Sequence, residues 1–298
     1  MLNLLYVDWD FDPVIFSIGN FHFRWYGLIF LIIFAAGGWL FAKFCKREKI
    51  DTAFVDPLFY TVLLGTLIGA RLGHVIFYQP DYYFGSWQGF WEIFMPWRGG
   101  LASHGGAVGI LLGMLYFMLR HAKRHRIDFL WIMDRLCILV AFAGCLIRLG
   151  NLANSEIYGD VTSLPWGFIF RRAGETEPRH PTQIYEALCY LILGLVLLWV
   201  YFKRPGKVYR GFFFGVFLLG CFGARFLIEF IKEPQVDFEV GRALDQGQLL
   251  SIPFILAGIV LLILSYRWKK PAMGYLKEAK QKRPLMRNQR AGTTSAGM

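Results

Sequence analysis

Seven stretches of the chain are long and apolar, and polar segments separate them. Each has roughly the 20 residues that a helix needs to cross a hydrocarbon core about 30 Å thick. The pattern predicts an all-α, polytopic membrane protein with seven transmembrane helices, forming a single integral membrane domain over residues 1–268 that is followed by a tail at 269–298. The predicted spans are about 25–42, 55–79, 99–119, 128–147, 182–202, 211–231 and 248–268.

Basic residues fall in alternate connections between these spans. The segments 43–50, 120–126 and 203–210 hold four Lys or Arg residues each, and the chain from Arg267 onward holds nine. Lys and Arg accumulate in the cytoplasmic loops of membrane proteins. The alternation predicts that these loops and the basic tail are cytoplasmic and, with seven crossings, that the N-terminus lies outside. The acidic stretch 8–12 stands where a signal peptide would be basic, so no cleavable signal is expected.

Composition agrees with this prediction. Of 298 residues, 56% are hydrophobic and only 18% are charged, whereas soluble domains carry about 25% charged residues. The net charge of +11 could point to nucleic acid, but such proteins gather their basic side chains on one folded face. Here those side chains lie between apolar runs, so no nucleic acid partner is expected. The five cysteines contain no CxxC pair, which argues against a disulfide framework or a metal site.

Several polar side chains that are energetically costly inside a membrane lie at one depth of the predicted topology. Residues of this kind inside membrane segments usually mark function. His104 lies near the outer end of the third span, and the polar run 148–159 follows the fourth span at its outer end. Arg225 and Glu229 lie four residues apart in the outer half of the sixth span, on one helical face, and Tyr26 opens the first span from the same side. The pattern predicts a site on the outer-leaflet side of the membrane.

Polar side chains are most concentrated in the run 148–159. It holds one arginine, two asparagines and one glutamate within nine residues, with glycines that let the backbone approach a ligand. A guanidinium can grip a phosphate with two hydrogen bonds, and amides can orient glycerol or ester oxygens. The run therefore predicts recognition of a phosphate-bearing polar group.

Each of these features also has a purely structural interpretation. Arg225 and Glu229 can pair with each other, and His104 can be an ordinary interfacial histidine. A row of glycines can simply allow close helix packing: Gly105, Gly106, Gly109 and Gly113. Three ionisable residues inside spans can pair internally or snorkel, and for the last two we favour that interpretation: Arg71, Asp134 and Arg135.

At these residues the chain resembles the bacterial phosphatidylglycerol–prolipoprotein diacylglyceryl transferases. The family's motif G-R-x-G-N-F-x-N-x-E-x-x-G matches residues 147–159, except that Ile147 replaces a glycine and Leu152 replaces a phenylalanine. The polar positions of the motif are all present. Three further family elements match in order, a histidine–diglycine segment, an H-P-S/T-Q-x-Y-E element and an R-x-x-x-E-F run, at 103–106, 180–186 and 225–230. The resemblance extends from about Tyr26 to the seventh span.

The resemblance implies a reaction and its partners. The diacylglyceryl group of phosphatidylglycerol would move to the thiol of the lipobox cysteine in the signal peptide region of a preprolipoprotein, forming a thioether and releasing glycerol phosphate in the first step of lipoprotein maturation. It also implies a multi-pass protein of the bacterial cytoplasmic (inner) membrane, with its active site facing the outer leaflet. No metal or organic cofactor is expected.

The residues suggest a division of roles in this reaction. Because the thiolate is the nucleophile, His104 is the predicted general base near neutral pH. Arg148 and Arg225 are the predicted clamps for the charge that develops on the departing phosphate, or they bind substrate and product lipids separately. Asn151 and Glu156 would orient the glycerol headgroup or Arg148 itself. Glu229 would hold Arg225, and Tyr26 would contact the lipid. The residues assigned to phosphatidylglycerol binding are Tyr26, Gly105, Arg148, Asn151, Asn154, Glu156, Gly159 and Glu229.

The chief alternative is a transporter or lipid-binding membrane protein that recognises an anion with the same side chains. Transporters place their sites near the bilayer midplane and often contain inverted repeats. Here the polar residues lie to one side, and the sequence shows no repeat. An intramembrane hydrolase is disfavoured, because the chain contains neither a G-x-S-x-G nor an HExxH element.

Overall fold

The computed structural model describes residues 6–19, 21–96, 99–122, 127–204, 208–233 and 244–272, with the backbone alone at Phe21, Ser103, His104 and Ala122. The described residues form nine α-helices, which we number along the chain. They are α1 (Trp25–Arg47), α2 (Val55–Phe77), α3 (Pro80–Gly85), α4 (Trp87–Glu92), α5 (Ser103–Phe117), α6 (Phe129–Ala153), α7 (Thr182–Lys203), α8 (Phe212–Ile228) and α9 (Gln246–Trp268).

Six helices are long and apolar enough to cross a membrane, which confirms a polytopic, helical membrane protein. They are α1, α2, α6, α7, α9, and α8 together with the 3₁₀ turn Glu229–Ile231. The third predicted span is a shorter apolar helix: α5 has 15 residues and continues into a π-helical turn, Met118–Ala122. It begins later than predicted because Gly99 and Gly100 adopt positive φ angles of 96° and 74°, which no helix continues.

The described residues also form four short strands that the hydrophobic pattern did not predict. Strand β1 (Val7–Trp9) pairs in parallel with β4 (Phe168–Phe170). Strands β2 (Val14–Ile18) and β3 (Phe21–Arg24) form an antiparallel pair directly before α1. The described part of the molecule is therefore predominantly helical, in agreement with the predicted all-α fold class, and the two small sheets are additions that the sequence did not predict.

Exposed ion pairs accompany the pairing of β1 with β4. Arg171 contacts Asp8 at 2.7 Å, and Arg172 contacts Asp10 at 3.1 Å and Asp12 at 3.4 Å. The Arg171 guanidinium holds the pKa of the Asp8 carboxyl below its usual range. Exposed pairs of this kind contribute little stability individually, but they explain the acidic stretch 8–12 as a partner for two arginines.

The chain divides into two compact units. One contains residues 1–37 and 130–298, and the other contains residues 38–129. In the second unit, α2 and α5 pack backbone to backbone through two rows of glycines spaced four residues apart. A Cβ atom added at Gly109 would lie 2.7 Å from the Gly65 carbonyl carbon and 3.0 Å from Gly69 Cα. Small residues allow such close helix approach in membranes, so the packing interpretation of the α5 glycines is confirmed for Gly105 and Gly109.

Arg71 anchors the loop that follows α2. Its side chain is buried, and its Nε donates to the carbonyl oxygen of Ile93 at 3.0 Å. Its Nη1 donates to the carbonyl oxygens of Gly99 at 2.6 Å and Gly100 at 2.9 Å, and its Nη2 donates to that of Glu92. Arg71 thus donates hydrogen bonds to backbone carbonyls at the end of α4 and at Gly99 and Gly100, and it does not snorkel.

Asp134 and Arg135 also have structural roles. The Asp134 carboxylate accepts hydrogen bonds from the backbone amides of Gly211 at 2.7 Å and Phe214 at 3.0 Å, so it caps the N-terminus of α8 from a neighbouring helix. Nη2 of Arg135 donates to the carbonyl oxygen of Ala272 at 2.7 Å. The fold therefore includes residues past the last helix, up to residue 272, and the remainder of the predicted tail, 273–298, lies outside the described residues.

Replacing Asp134 by Ala is expected to lower the free energy of unfolding by about 1–3 kcal/mol, because two amides at the start of α8 lose their acceptor in a buried environment. Asn should cost less, since its amide oxygen can still accept one of these hydrogen bonds. Thermal unfolding of the detergent-solubilised protein measures the effect, with the exposed Asp160→Ala variant as control. Equal stability of the Asp134→Ala and Asp160→Ala variants would contradict the capping role.

Candidate active site

The polar run at 148–159 begins inside helix α6. The helix continues six residues beyond the predicted end of the span, so Arg148 and Asn151 lie on its last two turns. Ser155 and Ile157 adopt left-handed backbone conformations, with φ of 55° and 61°, that reverse the chain direction. The amide of Glu156 donates to the carbonyl oxygen of Asn151 at 3.0 Å. The reversal therefore returns Glu156 to the end of the helix that carries Arg148.

Side-chain hydrogen bonds link these residues into one network. Nη1 of Arg148 donates to Oδ1 of Asn151 at 3.0 Å. Nδ2 of Asn151 donates to Oε1 of Glu156 at 2.7 Å, and Nδ2 of Asn154 reaches the same oxygen at 3.4 Å. Glu156 thus fixes the Asn151 amide with its oxygen toward the guanidinium. These hydrogen bonds support the interpretation in which Asn151 and Glu156 orient Arg148.

A row of alternating charges extends from Arg148. Its Nε pairs with Oε2 of Glu186, a fully buried carboxylate on α7. The other Glu186 oxygen, Oε1, lies 2.6 Å from Nζ of Lys232. That Nζ also lies 2.9 Å from Oε2 of Glu229. We call Arg148, Glu186, Lys232 and Glu229 the charged row; it joins the ends of α6, α7 and α8.

Tyr26 lies against the same end of α6. A Cβ atom added at Gly150 would lie 2.6 Å from Cδ2 of the Tyr26 ring, so only glycine leaves room for this contact. The Tyr26 side chain also interacts with that of Asn151. Nearby, the Trp9 indole donates to the carbonyl oxygen of Leu152 at 3.0 Å. The residue predicted to contact lipid therefore adjoins the Arg148 network.

The motif at 180–186 packs against the motif at 148–159. The amide of Gly159 donates to the carbonyl oxygen of His180 at 2.9 Å, and the Thr182 hydroxyl donates to that of Ile157 at 3.0 Å. Nε2 of Gln183 donates to the Glu156 carbonyl oxygen at 2.8 Å. A Cβ atom at Gly159 would lie 2.8 Å from both the His180 and Thr182 side chains, so Gly159 allows close approach of the two segments.

Arg225 and Arg148 approach a common neighbour. Tyr190, a buried residue on α7, lies within electrostatic range of both guanidinium groups. The thiol of Cys221 on α8 experiences the same two charges. The two arginines predicted to bind phosphate therefore both act electrostatically on one buried tyrosine.

The structure gives Glu229 a different partner from the predicted one. We expected Glu229 to hold Arg225 through an i,i+4 contact, but its carboxylate pairs with Lys232 three residues later. The amide of Glu229 still donates to the carbonyl oxygen of Arg225, so the two residues keep their helical i,i+4 spacing, and Glu229 begins a 3₁₀ turn that continues to Ile231. Side chains three residues apart align in a 3₁₀ turn, which brings Lys232 to Glu229.

A second polar cluster fixes the loop that carries these motifs. The Tyr158 hydroxyl donates to Oε1 of Glu175 at 2.8 Å, and Nε of Arg179 donates to Oε2 of the same carboxylate at 2.8 Å. Burial, together with the nearby Glu175 carboxylate, raises the pKa of Tyr158 to about 12. Tyr158 therefore stays protonated near neutral pH and acts as a hydrogen-bond donor that holds the loop.

Most of the predicted site residues come together in the unit of residues 1–37 and 130–298. Five of them are joined by direct side-chain contacts, namely Tyr26, Arg148, Asn151, Asn154 and Glu156. Glu229 is linked to Arg148 through Lys232 and Glu186, and Arg225 lies within electrostatic range of Tyr190. Gly159 supports the same loop through its backbone. His104 and Gly105 begin α5 in the other unit, and the side chain of His104 lies outside the described residues.

The sequence reasoning missed two charged members of this site. Glu186 ends the 180–186 motif and lies one turn inside an apolar helix. An unpaired carboxylate is costly there, so the sequence itself indicated that Glu186 has a partner or a function. Lys232 follows Glu229 closely in the sequence, but its contact with Glu186 joins residues 46 positions apart. No feature of the local sequence predicted that contact.

The arrangement is suited to binding an anion. Arginine has five N–H donors, and the contacts with Glu186 and Asn151 occupy two of them while fixing the plane of the guanidinium. In a partly dehydrated site, a fixed cation interacts with a phosphate more strongly than in water. Among the described residues, no group of three or more His, Cys, Asp or Glu side chains could hold a metal ion.

Comparison with known proteins agrees with this chemistry. A profile of the family described as prolipoprotein diacylglyceryl transferase matches residues 13–264. A phosphatidylglycerol–prolipoprotein diacylglyceryl transferase of Porphyromonas gingivalis is 44% identical, covering 87% of this chain and 94% of the relative. Proteins with the same name in Tolumonas auensis and Bacteroides fragilis are 43% and 41% identical, covering 88% and 86% of this chain and 98% and 94% of their own lengths. This chain belongs to the prolipoprotein diacylglyceryl transferase family.

Proposed function

We propose that this protein transfers the diacylglyceryl group of phosphatidylglycerol to the thiol of the lipobox cysteine of a preprolipoprotein. The thiolate sulfur attacks the glyceryl carbon that carries the phosphate oxygen. A C–S thioether bond forms as the C–O bond breaks, and the electron pair leaves with glycerol phosphate. Membership of the family, together with the oriented Arg148 guanidinium, carries this proposal.

Arg148 binds the phosphate in this mechanism. Its guanidinium is held on one side by Glu186 and on another by Asn151, so binding does not have to order a flexible side chain. Preorganised donors of this kind stabilise charge that develops on the leaving group. Arg225, which shares Tyr190 with Arg148, binds the same phosphate or that of the second lipid.

The remaining predicted residues have supporting roles. Asn151, Asn154 and Glu156 form the network that orients Arg148 and face the glycerol headgroup. Tyr26 contacts the lipid beside them. His104, at the start of α5, takes the thiol proton, and Gly105 adjoins it in the substrate-binding region.

We also propose the topology that the loop charges predict. Seven crossings place the N-terminus outside and the C-terminus in the cytoplasm, with the site facing the outer leaflet of the bacterial inner membrane. Four Lys or Arg residues in each of three alternate loops support this orientation. Both substrates then arrive from the bilayer.

Purified protein incubated with phosphatidylglycerol and a lipobox peptide is expected to produce a peptide whose cysteine carries a diacylglyceryl adduct, detected by mass spectrometry. A Cys→Ser peptide and vesicles of phosphatidylethanolamine should give no adduct, since the first lacks the thiol and the second lacks the glycerol phosphate leaving group. Absence of adduct where a relative from the same family reacts would refute the proposed function. Flux of an anion across vesicles without adduct would favour the transporter alternative.

A further inference from the structure

Lys232 is a buried lysine at the centre of the charged row. Its residue is 5% exposed, and its Nζ lies between two carboxylates, 2.6 Å from Glu186 Oε1 and 2.9 Å from Glu229 Oε2. Lysines are almost never buried to this degree unless they are paired. The two short contacts explain how this charge is tolerated.

The backbone holds Lys232 in place. Its amide donates to the carbonyl oxygen of Glu229 at 3.2 Å, and its residue forms an isolated β-bridge with Gly159. The preceding residue, Ile231, accepts a hydrogen bond from the Asp160 amide at 3.0 Å. Lys232 is thus fixed to the loop that follows the Arg148 network, and its position does not depend on a flexible segment.

The balance of charge in the row depends on Lys232. Arg148 and Lys232 supply two positive charges, and Glu186 and Glu229 supply two negative charges, so the row is neutral. Without the lysine, one arginine would face two buried carboxylates. The row would then carry a net negative charge where a phosphate has to bind, and breaking a buried ion pair from one side leaves an uncompensated charge in a low-dielectric environment.

We infer that Lys232 is a positioning residue for phosphatidylglycerol: it neutralises Glu186 and Glu229, so that the Arg148 guanidinium keeps its net attraction for the lipid phosphate. Lys232 acts through its two carboxylate partners and does not itself contact substrate. This inference rests on the proposed function and extends it to the way in which the charge of the site is set.

The test is the dependence of transfer on phosphatidylglycerol concentration in Lys232 variants. Lys232→Met is expected to raise the KM for the lipid about tenfold or more, a change of roughly 1.4 kcal/mol per tenfold. Lys232→Arg, which preserves the charge, should restore most of the affinity. Because the inferred effect is on anion binding, the KM for the lipobox peptide should change little in every variant.

A charge-balanced double variant separates electrostatics from packing. Lys232→Met combined with Glu229→Gln removes one charge of each sign and leaves Glu186 on Arg148. If the inference is right, this variant binds the lipid several-fold more tightly than Lys232→Met alone, although both lack the lysine side chain. A double variant no better than the single variant, or a wild-type KM in Lys232→Met, would overturn the inference.

Two features keep the outcome unambiguous. If Lys232→Met does not fold, Lys232→Gln takes its place, because it also removes the charge while keeping a polar side chain; a wild-type KM for the lipid in that variant would overturn the inference. The wild-type reaction is the reference for the function itself. Absence of transfer by wild type refutes the proposed function, whereas active wild type with unaffected lysine variants refutes only the role of Lys232.

Discussion

Replacing Arg148 by Ala is expected to reduce diacylglyceryl transfer by about 10²–10³-fold or more, as loss of one preorganised donor to a developing anion does in other enzymes. The loss has two physical parts. The phosphate loses a cation whose orientation is fixed by Asn151 and Glu186, and the buried Glu186 carboxylate loses a partner. Mass spectrometry of the lipobox peptide measures the rate.

The nature of the replacement distinguishes these two parts. Arg148→Lys preserves the charge but cannot reproduce the planar contacts with both partners, so we expect an intermediate rate. Arg172→Ala is the matched control, because that arginine is exposed and pairs with Asp10 and Asp12. Normal transfer by an inserted, folded Arg148→Ala variant would remove Arg148 as the phosphate clamp.

Replacing His104 by Gln is expected to slow transfer by about 10²–10⁴-fold near neutral pH, the usual contribution of a general base. Glutamine preserves size and hydrogen bonding but cannot take the thiol proton. A free cysteine ionises with a pKa of about 8.5, so the variant should approach the wild-type rate as the pH rises past that value. The ratio of the two rates measured from pH 6 to pH 10 therefore identifies the base.

His121→Gln provides the control for this measurement. His121 lies in the π-helical turn after α5 and stacks on Phe117, so the variant should keep the wild-type rate and pH profile. An unchanged rate and pH profile in His104→Gln would instead assign the thiol proton to another group.

The length of the predominantly apolar runs was sufficient to predict the six long helices, because each of them contains one such run. It was less informative at helix ends. Helix α6 continues through Arg148, Gly150 and Asn151, although polar and glycine residues usually indicate that a span has ended. These side chains find partners inside the protein, so the helix extends beyond the apolar run.

The missed features all depend on residues far apart in the sequence. Strand β1 pairs with β4 about 160 residues later, and Lys232 reaches Glu186 across 46 positions. The local i,i+4 rule predicted Arg225 as the partner of Glu229, but the 3₁₀ turn that begins at Glu229 brings Lys232 to its carboxylate. Family motifs predicted the residues of the candidate site, but only the three-dimensional structure shows which carboxylate pairs with which cation.

The pairing of β1 with β4 also restricts how the chain is threaded through the membrane. Hydrogen-bonded strands must lie on the same side of a bilayer, so the chain between them has to cross an even number of times. Helices α1, α2 and α6 account for three crossings. We propose that α5 supplies the fourth, because with its π-helical turn it has 20 residues and a length of roughly 30 Å. This parity supports the proposal that the short, glycine-rich helix is itself a transmembrane segment.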